Sequence, residues 1–282
     1  MKKLRYAFEA LVLILFYGIC DILPPAAASA FGGWIGRTVG PRLAASRKAR
    51  THLRESLPTL ENALIERHIA GMWDNLGRVM AEYPHLSAIG AHRVTLHGAG
   101  HVQASLDRNM PVILFGAHLA NWEVMAPAVY YQLGARLGLV YRAPNNPVSG
   151  KLLDYARSLH GTLKTLPKSK SGTRQLVQAL KDGESIGILI DQKYNEGIPV
   201  PFFGRPAMTS PAFAQLARKY QATLIPFRCV RKPGCHFDVI FEAPLHTDDE
   251  DVLVMRRAHE RLESWIEARP GEWMWLHRRW GS

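Results

Sequence analysis

The chain has 282 residues, enough to bury a substantial core, and nothing in its composition splits it into two balanced halves. Lysine and arginine number 35 against 24 acidic residues, a net charge of +11 that points to anionic partners: membrane headgroups, lipid phosphates, acidic carrier proteins or nucleic acid. Three cysteines (Cys20, Cys229, Cys235) are too few for a disulfide framework, which favours a reducing compartment. The spacing of Cys229, Cys235 and His236 fits no common zinc pattern, so no metal is expected.

Residues 1–35 are the least soluble-looking part. A basic start, Met1-Lys-Lys-Leu-Arg5, leads into an apolar run over 10–20, well short of the roughly twenty residues that span a bilayer. Ala26-Ala-Ala-Ser-Ala30 resembles a signal-peptide cleavage region. Against cleavage, 31–50 continues as a basic amphipathic stretch with Trp34, Ile35, Arg37, Arg42, Arg47, Lys48 and Arg50. The favoured reading is an uncleaved membrane anchor over 1–35, tilted or lying in the interface, followed by one domain over 36–282. An ordinary buried N-terminal helix is the alternative.

Beyond the anchor, apolar positions Leu64, Ile65, Ile69, Met72, Trp73, Leu76 and Val79 recur at helical spacing, predicting a helix over 60–83. Strands are expected over 93–96, 111–115, 138–141, 185–190, 223–230 and 237–241. Helices are expected over 102–107, 122–133, 149–160, 172–181, 211–220 and 251–267. This alternation implies an α/β fold, a mainly parallel sheet flanked by helices. The stretch Pro201-Phe-Phe-Gly204-Arg205-Pro-Ala-Met-Thr209-Ser210 reads as a loop entering a helix at Pro211, with Ser210 as its cap. Phe202 and Phe203 suit either an acyl channel or the core.

The segment that carries chemistry is Pro111-Val-Ile-Leu-Phe-Gly116-Ala-His118-Leu-Ala-Asn121-Trp-Glu123: a buried strand, a turn holding a histidine, and a helix that Asn121 can cap. On a continuous helix, residues five apart point about 140° away from each other, so His118 and Glu123 meet only if the histidine precedes the helix. The carboxyl end of a parallel strand is where open α/β sheets place ligands. There His118 suits a general base, with Glu123 fixing its tautomer and the helix N-terminus offering backbone donors where negative charge develops.

Gly116-Ala-His118-Leu-Ala-Asn-Trp-Glu123 resembles the His-x4-Glu motif of the lipid A biosynthesis lauroyl/myristoyl acyltransferases, within the wider glycerolipid acyltransferase group. Four further segments resemble that family in the right order. They are Met72-Trp-Asp-Asn-Leu-Gly-Arg78 with Glu82; Val140-Tyr-Arg142-Ala-Pro-Asn-Asn-Pro147 with Arg157; Asp191-Gln192 followed by Val200-Pro-Phe-Phe-Gly204-Arg205-Pro-Ala-Met-Thr209; and Trp273-Met-Trp-Leu-His-Arg-Arg-Trp280. The resemblance implies a catalytic pair, His118 and Glu123, with Arg142, Arg157 and Asp191 in the site. Gly204, Arg205 and Thr209 are further substrate-binding candidates. It also implies no cofactor, a thioester of acyl carrier protein or coenzyme A as donor, a Kdo-bearing lipid A precursor as acceptor, and the cytoplasmic face of a bacterial inner membrane. The chain departs from the family after Asp191: where an acidic residue and a glycine commonly follow, it reads Asp191-Gln-Lys193-Tyr-Asn-Glu-Gly197. That leaves open another acceptor, such as a mannolipid, an ornithine lipid or a glycerol phosphate. A non-catalytic basic membrane-surface protein is the reading from another class.

The C-terminal Trp265, Trp273, Trp275 and Trp280 with His277, Arg278 and Arg279 suit a membrane interface, or simply the packing of the last helix onto the sheet. No helix-turn-helix, zinc-finger or RNP signature supports nucleic acid as the partner. P-loop, dinucleotide-fold and Gly-x-Ser-x-Gly motifs are likewise missing from the sequence.

Overall fold

The computed structural model describes residues 2–142, 144 and 146–280. Of the 140–147 segment quoted above, Ala143 and Asn145 lie outside the described residues, as does Met1 at the basic start. Eleven α-helices and nine strands follow one another among the described residues. Four helices lead: α1 (Lys2–Ile22), α2 (Pro25–Val39), α3 (Ala45–Ser56) and α4 (Asn62–Glu82). The series continues through α5 (Leu86–His92), β1 (Val94–His97), α6 (Ala99–Leu106), β2 (Val112–Gly116), α7 (Met125–Leu133), β3 (Leu137–Tyr141) and α8 (Pro147–Arg157). Then come β4 (Thr165–Pro167), α9 (Lys170–Lys181), β5 (Ser185–Leu189), β6 (Ile198–Phe202), β7 (Arg205–Thr209), α10 (Ala212–Lys219), β8 (Thr223–Lys232), β9 (His236–Phe241) and α11 (Asp251–Ala268).

The main sheet has the order β1-β9-β8-β2-β5-β3-β4. The five strands from β8 to β4 run parallel, while β9 is antiparallel to β8 and carries β1 alongside it in its own direction. Every residue of β2 is buried, as a parallel strand covered on both faces requires. Its side chains alternate between two cores: Ile113 and Phe115 pack with Leu53, Ile69 and Leu262, whereas Val112 and Leu114 pack with Ile89, Val129 and Phe237. Full burial of each such side chain contributes about 1.5–3 kcal/mol.

One expectation changes, and the positions of Phe202 and of the C-terminal tryptophans are fixed. The 201–210 segment is not a loop: β6 and β7 form an antiparallel hairpin apart from the main sheet, turning at Phe203 and Gly204, both with positive φ. Thr209 ends that hairpin, and at the entry to α10 Ser210 Oγ accepts the Ala212 N–H at 3.3 Å. Phe202 is fully buried between His259, Trp273 and Trp280, in the core. The tryptophans of the C-terminus also pack inward: Trp265, Trp273 and Trp275 are buried.

At the other end, α2 runs through position 35, where a domain boundary was expected, and lies along α4 with almost no gap. A Cβ on Gly36 would stand 2.0 Å from the Trp73 carbonyl oxygen, and one on Gly77 would stand 2.1 Å from that of Gly32. Among the described residues no helix is long and apolar enough to cross a membrane. α1 nevertheless leaves Leu4, Phe8, Leu11, Leu15, Ile19 and Ile22 exposed along one side.

Candidate active site

Strand register builds the site. Gly116 of β2 pairs with Leu189 of β5, so residues two further along each chain, His118 and Asp191, emerge side by side at the carboxyl edge. They meet there. His118 Nδ1 lies 2.8 Å from Asp191 Oδ1, while Asp191 Oδ2 accepts the His118 backbone N–H at 2.9 Å and the Trp273 indole N–H at 2.8 Å. Asp191 is fully buried. Burial raises its pKa, but the His118 ring and these hydrogen bonds outweigh that and hold it well below the ordinary carboxylate range. An ionised Oδ1 against Nδ1 requires the proton on Nδ1, so that in the neutral form of the ring Nε2 is the acceptor.

Glu123 does not serve the imidazole. Asn121 caps the turn as expected, accepting the Glu123 backbone N–H at 3.0 Å. The Glu123 side chain then turns to Arg157, which grips it with Nη2 at 2.7 Å from Oε1 and Nε at 2.8 Å from Oε2. Tyr83 Oη donates to Oε1 at 2.7 Å and the Trp122 indole at 2.9 Å. Burial pushes the Glu123 carboxyl up, and Arg157 more than offsets it, so it stays ionised below its usual range. The expected His118–Glu123 contact is thus replaced by two carboxylate pairs, His118–Asp191 and Arg157–Glu123, because the β2–β5 register brings Asp191 to the ring first.

The chain around His118 is stitched to the C-terminus. Ala120 sits at φ +50°, its N–H donating to the Glu272 carbonyl at 3.1 Å, and the Met274 N–H donates to the His118 carbonyl at 3.2 Å. Asn75 Nδ2 ties both strands of this crossing, 2.9 Å from the Ala120 carbonyl and 3.1 Å from that of Glu272. The segments singled out around Asn75, His118 and Trp273 therefore converge on one turn.

A cavity of about 210 Å³ opens on His118. Its polar wall carries Glu123, Arg157, Arg142, Lys168 and Gln192; its apolar wall includes Met125, Leu139, Ile188 and Phe227. Arg142 and Lys168 follow β3 and β4 directly, so neighbouring strand ends bring two cations to the same edge as His118. Lys168 reaches solvent, yet its ammonium is crowded enough that desolvation lowers its pKa. A second hollow, shared by Arg142 and Gln192, adds Lys193, His277 and Arg278.

Gly204, Arg205 and Thr209 line neither cavity. Arg205 binds Glu55 and Ser56 and lies 3.8 Å over the Trp280 ring, while Thr209 Oγ1 accepts from buried Arg279 at 2.7 Å. These contacts hold Arg205 and Thr209 to neighbouring elements and away from both cavities. Conversely, Tyr83, Lys168 and His277 join the site without having been singled out as site residues. Lys168 follows a strand too short to show a pattern, and Tyr83 ends a helix whose apolar spacing explains it already.

A mainly parallel α/β sheet with a histidine–carboxylate pair and a row of cations at its carboxyl edge defines the class: proteins that bind their ligand in the crevice at that edge. The chain belongs to the bacterial lipid A biosynthesis acyltransferase family, whose sequence model matches residues 1–282. It is similar to the "Lipid A biosynthesis lauroyltransferase" of Escherichia coli (strain K12), 29% identical over 188 residues, which are 64% of this chain and 60% of that protein. To the "Lipid A biosynthesis myristoyltransferase" of the same strain it is 24% identical over 254 residues, 86% of this chain and 77% of the relative. "Lipid A biosynthesis acyltransferase 1" of Shigella flexneri matches with the same identity and extent. The match therefore spans less than two thirds of the lauroyltransferase's length, and more of the other two.

Proposed function

We propose that this protein transfers a fatty acyl group from a thioester, carried by acyl carrier protein or coenzyme A, to a hydroxyl of a Kdo-bearing lipid A precursor. The observation that carries this reading is His118: its Nδ1 lies against Asp191 while the ring lines a cavity that has an apolar wall for an acyl chain and cations for phosphate. His118 Nε2 takes the proton of the acceptor hydroxyl as its oxygen bonds to the thioester carbonyl carbon. The C=O pair moves onto oxygen; its return breaks the C–S bond, and the thiolate leaves with the proton from the imidazolium. No acyl-enzyme is required. Asp191 stabilises the imidazolium, while Glu123 holds Arg157 in the cavity wall, where the guanidinium also lies 5.0 Å over the Tyr141 ring. Arg142 and Lys168 are placed to bind a lipid phosphate or the donor's phosphodiester.

The reaction is proposed to occur at the cytoplasmic face of the inner membrane, with the exposed apolar side of α1 lying in the interface and Arg42 and Arg47 exposed nearby in sequence. Detergent-purified protein, incubated with lauroyl- or myristoyl-carrier protein and a Kdo-bearing tetraacyl lipid A precursor, is expected to raise the lipid's mass by one acyl chain. His118→Ala is expected to lower the rate by about a hundredfold or more. A folded His118→Ala variant that keeps most of the activity would remove the base assignment. A mass gain on a different lipid would move the acceptor and keep the chemistry.

A further inference from the structure

We propose that Gln192 is the catalytic donor that receives the oxyanion, with His277 positioning it. This rests on the acyl-transfer reading above. Gln192 Nε2 lies 3.3 Å from His118 Nε2 and 3.0 Å from His277 Nε2. In the tautomer that keeps the proton on Nδ1 against Asp191, His118 Nε2 accepts, and the carboxamide nitrogen faces it with two hydrogens that serve the two rings. Burial, and then the neighbouring His118 ring, push His277 down to about 4, which keeps it a neutral acceptor. As an acceptor, His277 therefore orients the carboxamide.

Much of the backbone of the His118 turn is engaged elsewhere: the N–H groups of His118, Leu119, Ala120 and Glu123 donate to Asp191, the Ala117 carbonyl, the Glu272 carbonyl and Asn121 respectively. Arg142 and Lys168 line the same cavity, but the hydrogen bonds to the His118 ring among the described residues come from Asp191 and Gln192.

An acceptor hydroxyl must donate to His118 Nε2 and so takes the place of the longer of Gln192's two contacts. His277 keeps hold of the nitrogen. The released N–H then points at the space next to Nε2, where the thioester carbonyl oxygen arrives as the hydroxyl oxygen bonds to its carbon and the C=O pair moves onto oxygen. Collapse of that oxyanion expels the thiolate, which takes the proton from His118, and Gln192 returns to Nε2. The donor is neutral, fixed before the reaction, and best paired when charge is on the oxyanion, the condition for lowering a barrier rather than tightening ground-state binding.

The test is steady-state kinetics with lauroyl-carrier protein and the tetraacyl lipid A precursor on wild type, His118→Ala, Gln192→Met and His277→Ala. Methionine keeps the length and volume of glutamine without its donor. Gln192→Met is expected to lower kcat by about 10²–10³ while KM for both substrates stays within about threefold and the circular dichroism spectrum is unchanged. His277→Ala should lower kcat in the same direction, and the double variant should cost no more than Gln192→Met alone. A Gln192→Met kcat within about threefold of wild type, or a loss confined to KM, overturns the assignment; additive losses overturn the positioning role of His277. A wild type that transfers an acyl chain neither to this precursor nor to another lipid acceptor removes the acyl-transfer reading and this inference together, whereas an active wild type matched by Gln192→Met removes the inference alone.

Discussion

Asp191 gives its two oxygens different work, and an asparagine there has an awkward choice. Oδ2 accepts two N–H groups, from the His118 backbone and Trp273, so the single carbonyl oxygen of asparagine is held on that side and its NH₂ faces His118 Nδ1. A donor in that place forces the proton onto Nε2 and removes the base. Asp191→Asn is therefore expected to lower kcat by on the order of 10²–10⁴ with a modest change in stability, the cost of the wrong tautomer in comparable histidine–aspartate pairs. Glu123→Gln should behave in the opposite way. It leaves the buried Arg157 guanidinium without its anion, a loss of about 3–5 kcal/mol of stability, visible as a lower urea midpoint before any effect on the His118 tautomer. Measuring urea midpoint and kcat for both variants separates the two carboxylates. Equal kinetic losses, with Glu123→Gln fully stable, would restore Glu123 as the partner of the base.

At the scale of elements, the α2–α4 crossing depends on glycines at every fourth position, Gly32, Gly36 and Gly40, against Gly77 and Trp73. Gly77→Ala meets the Gly32 carbonyl oxygen, which cannot move without parting the helices, so it is expected to cost about 1–3 kcal/mol. Gly100→Ala in α6 meets nothing within 4 Å and should stabilise by about 0.5–1 kcal/mol through helix propensity. Urea midpoints of opposite sign would show that the crossing, not glycine content, sets the difference. The same crossing explains what the sequence displayed and what it hid. β2 was legible because a parallel strand buried on both faces is an unbroken apolar run. The 31–50 stretch displayed charge and tryptophan, whereas its packing face is made of small residues that apolar periodicity does not detect. Pro199, Pro201 and Pro206 disguised the β6–β7 hairpin, yet all three are exposed and alternate with buried Val200, Phe202 and Ala207, the placement a two-stranded ribbon tolerates. His118 stood out as a strand-turn-helix pattern. Asp191 was named for the site, but its pairing with the His118 ring was not legible, since a register linking Gly116 to Leu189 joins positions 73 residues apart and leaves no periodic trace.

For the whole molecule, the unresolved balance lies between burying apolar surface in the protein and offering it to a lipid phase. α1 carries Leu11 at 54% and Leu15 at 59% exposure on the same side as Phe8 and Ile19, while Ala10, Tyr17 and Cys20 face the body. Its loop-side neighbour Asn146 holds it to the start of α8, donating to the Tyr6 carbonyl at 2.9 Å, and α8 ends with Arg157 in the cavity wall. A helix docked on the body through one face and apolar on the other fits a bilayer surface, and a net charge of +11 adds attraction to anionic headgroups. Vesicles containing phosphatidylglycerol are therefore expected to sediment the protein at 0.1 M salt, with a smaller bound fraction at 0.5 M as the charges are screened. Leu11→Asp and Leu15→Asp remove the apolar contribution, each weakening binding by roughly tenfold or more, the equivalent of one exposed leucine buried in lipid. Because both side chains already face outward, neither variant should move the thermal unfolding midpoint of the detergent-solubilised protein. Salt-sensitive binding that survives both substitutions would make the attachment purely electrostatic. Salt-insensitive binding lost with them would assign it to α1 alone.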